Sequence, residues 1–277
     1  MSTYTYLSEL GRGTFGTVYL CEKKHNKMKV VIKEISLENG QLAVARNEVN
    51  ILKTLNHPNV CQYYDSFKRN NRFSIVMEYA SGGNLHDFLR GRRFSNDYLH
   101  PNLALNIIGQ VLLGLNHLHS KKVVHRDLKT ENIFLSGSMK NIVKIGDFGI
   151  SEILRNDAQA NTVIGTTNYL APEMCDGKPY DMKSDIWSFG CVMYEICSLD
   201  RLFDGTISEV VMAIKSGQRK SINVDCYGKD IQKIVEMTTE IDPVLRPTTV
   251  NLMTNAIFVP TLSQITLNLG NIAYSRC

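Results

Sequence analysis

The stretch "VVHRDLKTENIFL", residues 123–135, with "VKIGDFGIS" at 143–151, decides the fold and the chemistry together. It gathers Asp127, Lys129 and Asn132 in one loop and Asp147 a short hairpin later. Moving a phosphoryl group needs little covalent help. It needs a positioned hydroxyl, cations on the group in flight and a metal bridging the phosphates. Asp127 can accept the hydrogen bond of the attacking hydroxyl, and Lys129 faces the γ-phosphate from the same loop. Asn132 and Asp147 supply hard oxygen ligands of the kind Mg²⁺ takes alongside phosphates and water. A charged surface turn is the competing reading, and it leaves this spacing unexplained.

Working outward, "LGRGTFGTVYL" at 10–20 sets Gly11, Gly13 and Gly16 in the pattern G-x-G-x-x-G. That pattern serves a dinucleotide turn, which opens a helix, and a phosphate flap, which joins two strands. The β-prone run from Thr17 to Cys21 follows, and no helical period begins before about residue 41, so the flap fits and the dinucleotide oxidoreductase keeps only its glycine spacing. Lys33, in "VVIKEI", ends an apolar strand and points either to solvent or to a buried anion. Glu48 lies on the next helix, beside Val49 and Leu52, where it would turn the lysine toward the α/β-phosphates.

These motifs resemble a eukaryotic protein kinase over nearly the whole chain. In order stand Gly11, Gly13, Gly16 and Val18; Lys33; Glu48; His125-Arg126-Asp127; Lys129; Asn132; Asp147-Phe148-Gly149; Ala171-Pro172-Glu173; Asp185; and Arg246. The loop "HRDLKTEN" is similar to serine/threonine kinases, and "GDFGIS", "GTTNYLAPEM" and "SDIWSFGCVMYEI" resemble the NIMA-related (NEK) kinases. The resemblance implies ATP and Mg²⁺ as cofactors, Asp185 bracing the catalytic loop and Arg246 pairing with Glu173. It implies Leu52, Tyr63, His125 and Phe148 as a column coupling two lobes. Met77 would guard the adenine pocket, Glu78 and Ala80 would bond the adenine edge by their backbone, and Val18, Val31 and Phe134 would sandwich the ring. Three positions depart from the common pattern: Val31 for alanine, Thr130 for proline and Thr167 for proline. The methyl groups of Val31 narrow the adenine slot.

Between Asp147 and Glu173 the chain is polar and rich in hydroxyls. Thr162 is the candidate phosphosite, its dianion pairing with Arg126. Thr166 would bridge Asp127 and Lys129 beneath the substrate, and Ile150 resembles kinases that prefer threonine acceptors.

The 277 residues hold 43% hydrophobic and 21% charged residues with a net charge of +4, ordinary values for a globular domain. No apolar run reaches membrane-span length and "MSTYTYLSEL" lacks a signal-peptide core. The 7 cysteines form no metal or redox motif; Cys191 and Cys197 read as buried thiols and Cys277 as an exposed one, which fits a reducing compartment. Strands dominate the first eighty residues, with a helix over "LAVARNEVNILKTL". Apolar helices follow in "LALNIIGQVLLGLNHLHS" and "KSDIWSFGCVMYEICSL", with others near 206–217, 229–239 and 247–256.

The expected fold is therefore α+β and bilobal: residues 1–80 an antiparallel-sheet lobe with one helix, 81–277 a larger, mainly helical lobe, hinged at Ser81-Gly82-Gly83. The kinase domain spans about 4–260, and "TLSQITLNLGNIAYSRC" reads as a short tail. The expected partners are protein substrates, with no nucleic acid and no membrane, and the chain reads as a monomer with self-association open. The expected address is cytoplasmic, with cytoskeleton or centrosome and basal body implied by the family. A kinase-fold scaffold without turnover is the alternative.

Overall fold

The run after the glycines is a strand. In the computed structural model, which describes residues 3–13, 16–36, 41–69, 71–147 and 167–274, β1 (Tyr4–Gly13) turns back into β2 (Gly16–Lys23) with Gly13 opposite Gly16. A Cβ at Gly16 would lie 1.9 Å from the carbonyl oxygen of Glu34, so only glycine lets the flap pack this closely on the next strand. No helix opens here, which removes the dinucleotide reading.

β3 (Lys29–Ser36), β4 (Tyr63–Arg69) and β5 (Arg72–Glu78) complete one antiparallel sheet in the order β1-β2-β3-β5-β4. Alternation sorts its two faces. Val30, Ile32 and Val76 join Tyr4 and Cys21 in a small cluster, whereas Ile35, Phe73, Ile75 and Met77 face the main core. α1 (Gln41–Leu52) bridges β3 and β4 and adds Ala45, Val49 and Leu52 to that core.

Beyond Gly82 and Gly83 the chain is mainly helical. The amide of Gly82 donates to Leu135 O and the amide of Leu135 to Gly83 O, both at 2.8 Å, which ties the crossover to the larger part. α2 (Leu85–Phe94) starts at Asn84, whose side chain accepts from the amide of Asp87, and ends on Arg92 and Arg93, as the helix dipole favours. α3 (Pro101–Ser120) follows, buried along most of its length. A two-stranded sheet, β6 (Ile133–Ser136) with β7 (Ile142–Ile145), carries the catalytic stretch.

After the segment 148–166, which lies outside the described residues, come α4 (Pro172–Cys175) and α5 (Met182–Ser198). A capping box of Asp181 and Ser184 starts α5, which is buried on nearly every side. α6 (Ile207–Ser216), α7 (Val224–Tyr227), α8 (Lys229–Thr238), α9 (Thr249–Met253) and α10 (Val259–Tyr274) complete the domain.

The last of these corrects the sequence reading: the stretch expected to be a tail is a helix. Leu262 and Ile265 of α10 are buried and reach Gly109 of α3, where the missing side chain leaves them room. Cys191 and Cys197 are buried as expected, and burial pushes the Cys197 thiol up to about 12. Cys277 lies outside the described residues. Among the described residues no helix is long and apolar enough to cross a membrane.

Candidate active site

The stretch from Val123 to Leu135 holds its shape because a single 3-10 helical turn, Thr130–Asn132, folds the loop back on itself. Asn132 Nδ2 then donates to both Asp127 O (2.8 Å) and Asp127 Oδ2 (2.9 Å), while Lys129 Nζ stands 2.8 Å from the same carboxylate oxygen. One carboxylate oxygen is thus held by an amide and an ammonium, and the other is left for a hydroxyl. Among the described residues the side-chain oxygen of Asn132, Oδ1, stays available as a ligand, while its backbone carbonyl accepts from the Gly146 amide (3.0 Å).

The loop is braced from below. Asp185, fully buried on α5, accepts from the amides of His125 (2.9 Å) and Arg126 (3.1 Å) and from the Tyr180 hydroxyl (2.9 Å), and it meets His119 Nε2 at 2.8 Å. Arg126 needs that support, since its φ of 72° lies in the left-handed region, which costs roughly 1–3 kcal/mol. His125 is fully buried: Nδ1 accepts from the Asp127 amide (3.2 Å), which leaves Nε2–H to donate to Gly146 O (3.1 Å). Burial pushes its pKa down, so the neutral tautomer fits both bonds.

That second bond links the loop to β7 and to Asp147, which also has a positive φ, 51°. Lys33, buried on β3, places its ammonium against Asp147 Oδ1. The side chain of Glu48, the expected partner of Lys33, lies outside the described residues, as do Phe148, Ile150, Thr162 and Thr166. Lys33 therefore joins the flap-side sheet to the Asp147 carboxylate.

Between sheet and helices runs a cavity of about 450 Å³. Gly11, Val18 and Val31 line it from the sheet, Met77 and Glu78 from the end of β5, Ala80 from the crossover and Phe134 from β6, together with Lys33 and Asp147. Gly13 and Gly16 sit at the hairpin end beyond this lining. Leu52 and Tyr63 belong to the core cluster beside the cavity.

Sequence reading missed Cys61, Asn84 and Asp87, which line the same cavity. Cys61 is recruited by pairing: its amide donates to Ile145 O (2.8 Å), and burial pushes its thiol up to about 12, so it meets a ligand as an uncharged apolar group. Also missed was Lys144, whose buried ammonium holds Glu78 Oε2 (3.0 Å) and Pro58 O (2.8 Å) and so fixes the crossover against β7. No local pattern announces these contacts, because each joins elements distant in sequence.

The donor set suits a shared cation rather than a closed cage. Among the described residues no three His, Cys, Asp or Glu side chains converge on one point. Asn132 and Asp147 offer two oxygens, the arrangement Mg²⁺ takes when phosphates and water complete its shell.

Farther out, Arg246 and Glu173 form a buried fork-on-fork pair, Nη1–Oε1 at 2.8 Å and Nη2–Oε2 at 2.7 Å. Burial alone would raise the Glu173 carboxyl, but hydrogen bonds from Arg246 and Ser184 hold it below its ordinary range. Both supporting pairs expected from sequence, Asp185 with the loop and Arg246 with Glu173, are in place.

Comparison with known proteins agrees with this geometry. The sequence matches the family described as protein kinase domain over residues 4–258. It is 40% identical to serine/threonine-protein kinase Nek8 of Danio rerio over 100% of this chain and 40% of that protein. It is 38% identical to serine/threonine-protein kinase nekl-2 of Caenorhabditis elegans, covering 98% of this chain and 79% of the relative. With human Nek5 the identity is 38% over 89% of this chain, which spans 35% of that protein's length. A crystal structure of Rad53 1-466 in complex with AMP-PNP matches with a TM-score of 0.77 at 25% identity, covering 92% of this chain and 65% of that one.

Proposed function

The chain belongs to the protein kinase family, among the NIMA-related serine/threonine kinases, and from that premise we propose that it transfers the γ-phosphate of ATP to serine and threonine hydroxyls of proteins, with Mg²⁺ as its metal. The observation that carries this reading is the single loop in which Lys129 and Asn132 hold Asp127 at 2.8 and 2.9 Å beside a large cleft.

In this reading the free oxygen of Asp127 orients the acceptor hydroxyl and takes its hydrogen bond. Lys129 neutralises charge on the transferring group, and Lys33 anchors the α/β-phosphates, with Glu48 as its orienting partner. Asn132 and Asp147 would hold the magnesium, which would offset the charge of the phosphates. The ring lies between Val18, Val31 and Phe134, with Met77 at the back. The amide of Glu78 is already given to Gln62 O (2.8 Å), so Glu78 offers adenine its carbonyl and Ala80 its amide. Gly11, Gly13 and Gly16 close over the phosphates. Residues 1–80 and 81–277 act as the two lobes, turning about Ser81-Gly82-Gly83.

Activation is part of the same reading. Among the described residues the Arg126 guanidinium has no acidic partner, although it adjoins the catalytic aspartate. A phosphate on Thr162 would supply one, and Thr166 would bridge Asp127 and Lys129 once substrate is bound. The address follows the relatives only as a proposal: cytoplasmic and cytoskeletal.

The test is transfer from γ-labelled ATP to a generic basic protein. Label on serine and threonine, lost when a chelator removes magnesium, supports the reading. Absence of label with ATP still bound would favour a scaffold, although every catalytic position is filled by the expected residue type.

A further inference from the structure

The 3-10 turn that places Asn132 on one side presents Thr130 and Glu131 on the other, and these face a buried polar cluster that phosphotransfer does not use. His86, in the first turn of α2, sets its Nδ1 3.5 Å from Glu195 Oε1 of α5 and 3.7 Å from Glu131 Oε1. Glu195 is buried, and its remaining partners are two hydroxyls, that of Tyr169 and Thr130 Oγ1 at 3.1 Å. The two hydroxyls also meet each other at 3.0 Å, so the segment before Pro172, α5 and the catalytic loop converge on one carboxylate.

We propose that His86 is a positioning residue for phosphotransfer: its imidazolium, held between Glu131 and Glu195, fixes the catalytic loop against α2 and α5, and loss of its proton loosens that loop. The proposal rests on the kinase reading above, which supplies the reaction the loop performs.

Three observations carry it. Among the described residues His86 is the only cation within ion-pair reach of Glu195, and a buried carboxylate without a cation is strongly unfavourable. Glu131 has one other cation, Arg201, whose Nη2 lies 3.0 Å away and whose Nη1 also donates to Asn168 Oδ1 at 3.1 Å. A neutral His86 therefore leaves two carboxylates converging on one uncharged nitrogen, with a single guanidinium, on Glu131, to offset them. Finally, Nδ1 is buried and makes no aligned hydrogen bond, so its hold on both glutamates is one of charge.

The other charges around the ring pair among themselves. Arg90 meets Asp87 (2.9 Å) on α2, and Arg93 meets Asp200 (3.2 Å), which also lies 3.5 Å from Lys220. Asp204 accepts from Asn168 Nδ2 (3.2 Å). The two glutamates, opposed by Arg201, thus set the field at His86. Contact with the Glu195 carboxylate raises its pKa above the ordinary 6.5, and Glu131 adds to this, against the opposing effects of burial and of the Arg201 guanidinium. The ring borders a cavity of about 140 Å³ and its side chain is 25% exposed, so protons exchange without unfolding.

Stability from a raised histidine pKa is fully present below the unfolded value and is lost as pH rises through the folded one. The test compares the full chain with His86→Gln in three measurements: kcat against pH at saturating Mg-ATP and peptide, the NMR titration of the His86 ring, and urea stability at each pH. The wild-type kcat falls as pH rises through the His86 titration, and His86→Gln lacks that limb while keeping the same KM for ATP. Superimposable profiles, or a ring titrating at or below 6.5, overturn the proposal. The stability arm separates this from failure of the kinase reading. Even without turnover, the stability gap between the two proteins narrows with rising pH, and a constant gap overturns the proposal.

Discussion

Lys33 is the residue on which the two halves of the cleft meet. Its ammonium lies against Asp147, whose side chain is 40% exposed, so water can solvate the carboxylate when the lysine is removed. Lys33→Met should therefore abolish transfer from labelled ATP, while circular dichroism and urea midpoint stay near those of the parent; near-normal transfer would remove the phosphate-anchoring role. The meeting of the residues proposed to carry the chemistry was legible because Asp127, Lys129, Asn132 and Asp147 lie close along one loop and hairpin, so spacing alone encodes it. Cys61, Lys144, His86 and Glu195 were not legible. Their roles come from contacts between elements far apart in sequence, and nothing local to a lone histidine or cysteine announces such a contact. Thr130 belongs to the same lesson. In the sequence it was only a departure from proline, and the structure places its hydroxyl on Glu195 and Tyr169.

At the scale of elements, the apolar-periodic segments were readable and the polar ones were not. α3 and α5 declare themselves by apolar runs, and β3 and β5 by β-branched ones. β4, "YYDSFKR", was passed over because it is the edge strand, half exposed, and carries charges that suit an edge. α2, "LHDFLRGRRF", buries only Leu85 and Leu89, with Phe88 half-buried beside them, so its charge hid its period. α10 was read as a tail because Thr, Ser, Asn and Gly dilute its helix propensity, yet Leu262 and Ile265 keep helical spacing and find α3.

The supporting pair between α4 and the loop before α9 makes a prediction at this scale. Arg246 is buried and grips Glu173, Glu240 O and Ile241 O, and it lies 5.1 Å over the Trp187 ring. Arg246→Met should cost about 3–5 kcal/mol in urea unfolding, since it leaves the Glu173 carboxylate buried and uncompensated. A loss below roughly 1 kcal/mol, the value of an exposed pair, would contradict the buried geometry.

For the molecule as a whole, acid should be the weak side. His57 stacks on His117 with ring centroids 5.0 Å apart, and its Nδ1 accepts from the Asn59 amide at 3.1 Å. Burial, helped by His117 and Lys144, pushes His57 down to about 4, and burial also lowers His117. A histidine neutral in the folded state binds its proton first in the unfolded state. Stability is therefore intact above about 6.5 and declines as pH falls toward 4, below which this group adds no further slope. Urea midpoints between pH 7 and 4 should fall, and fall less steeply in His57→Asn. Equal slopes would show that the stacked pair does not titrate as its burial demands.

The fold, the lobes and the cleft all serve one carboxylate, so the most direct measurement is the rate of phosphoryl transfer by Asp127→Asn at saturating Mg-ATP, beside its affinity for ATP. The substitution keeps the shape of the loop and removes the acceptor for the hydroxyl proton. The account predicts unchanged ATP binding with kcat lower by about 10²–10⁴-fold, the range of positioned general-base catalysis. Transfer at the parent's rate by Asp127→Asn would contradict it.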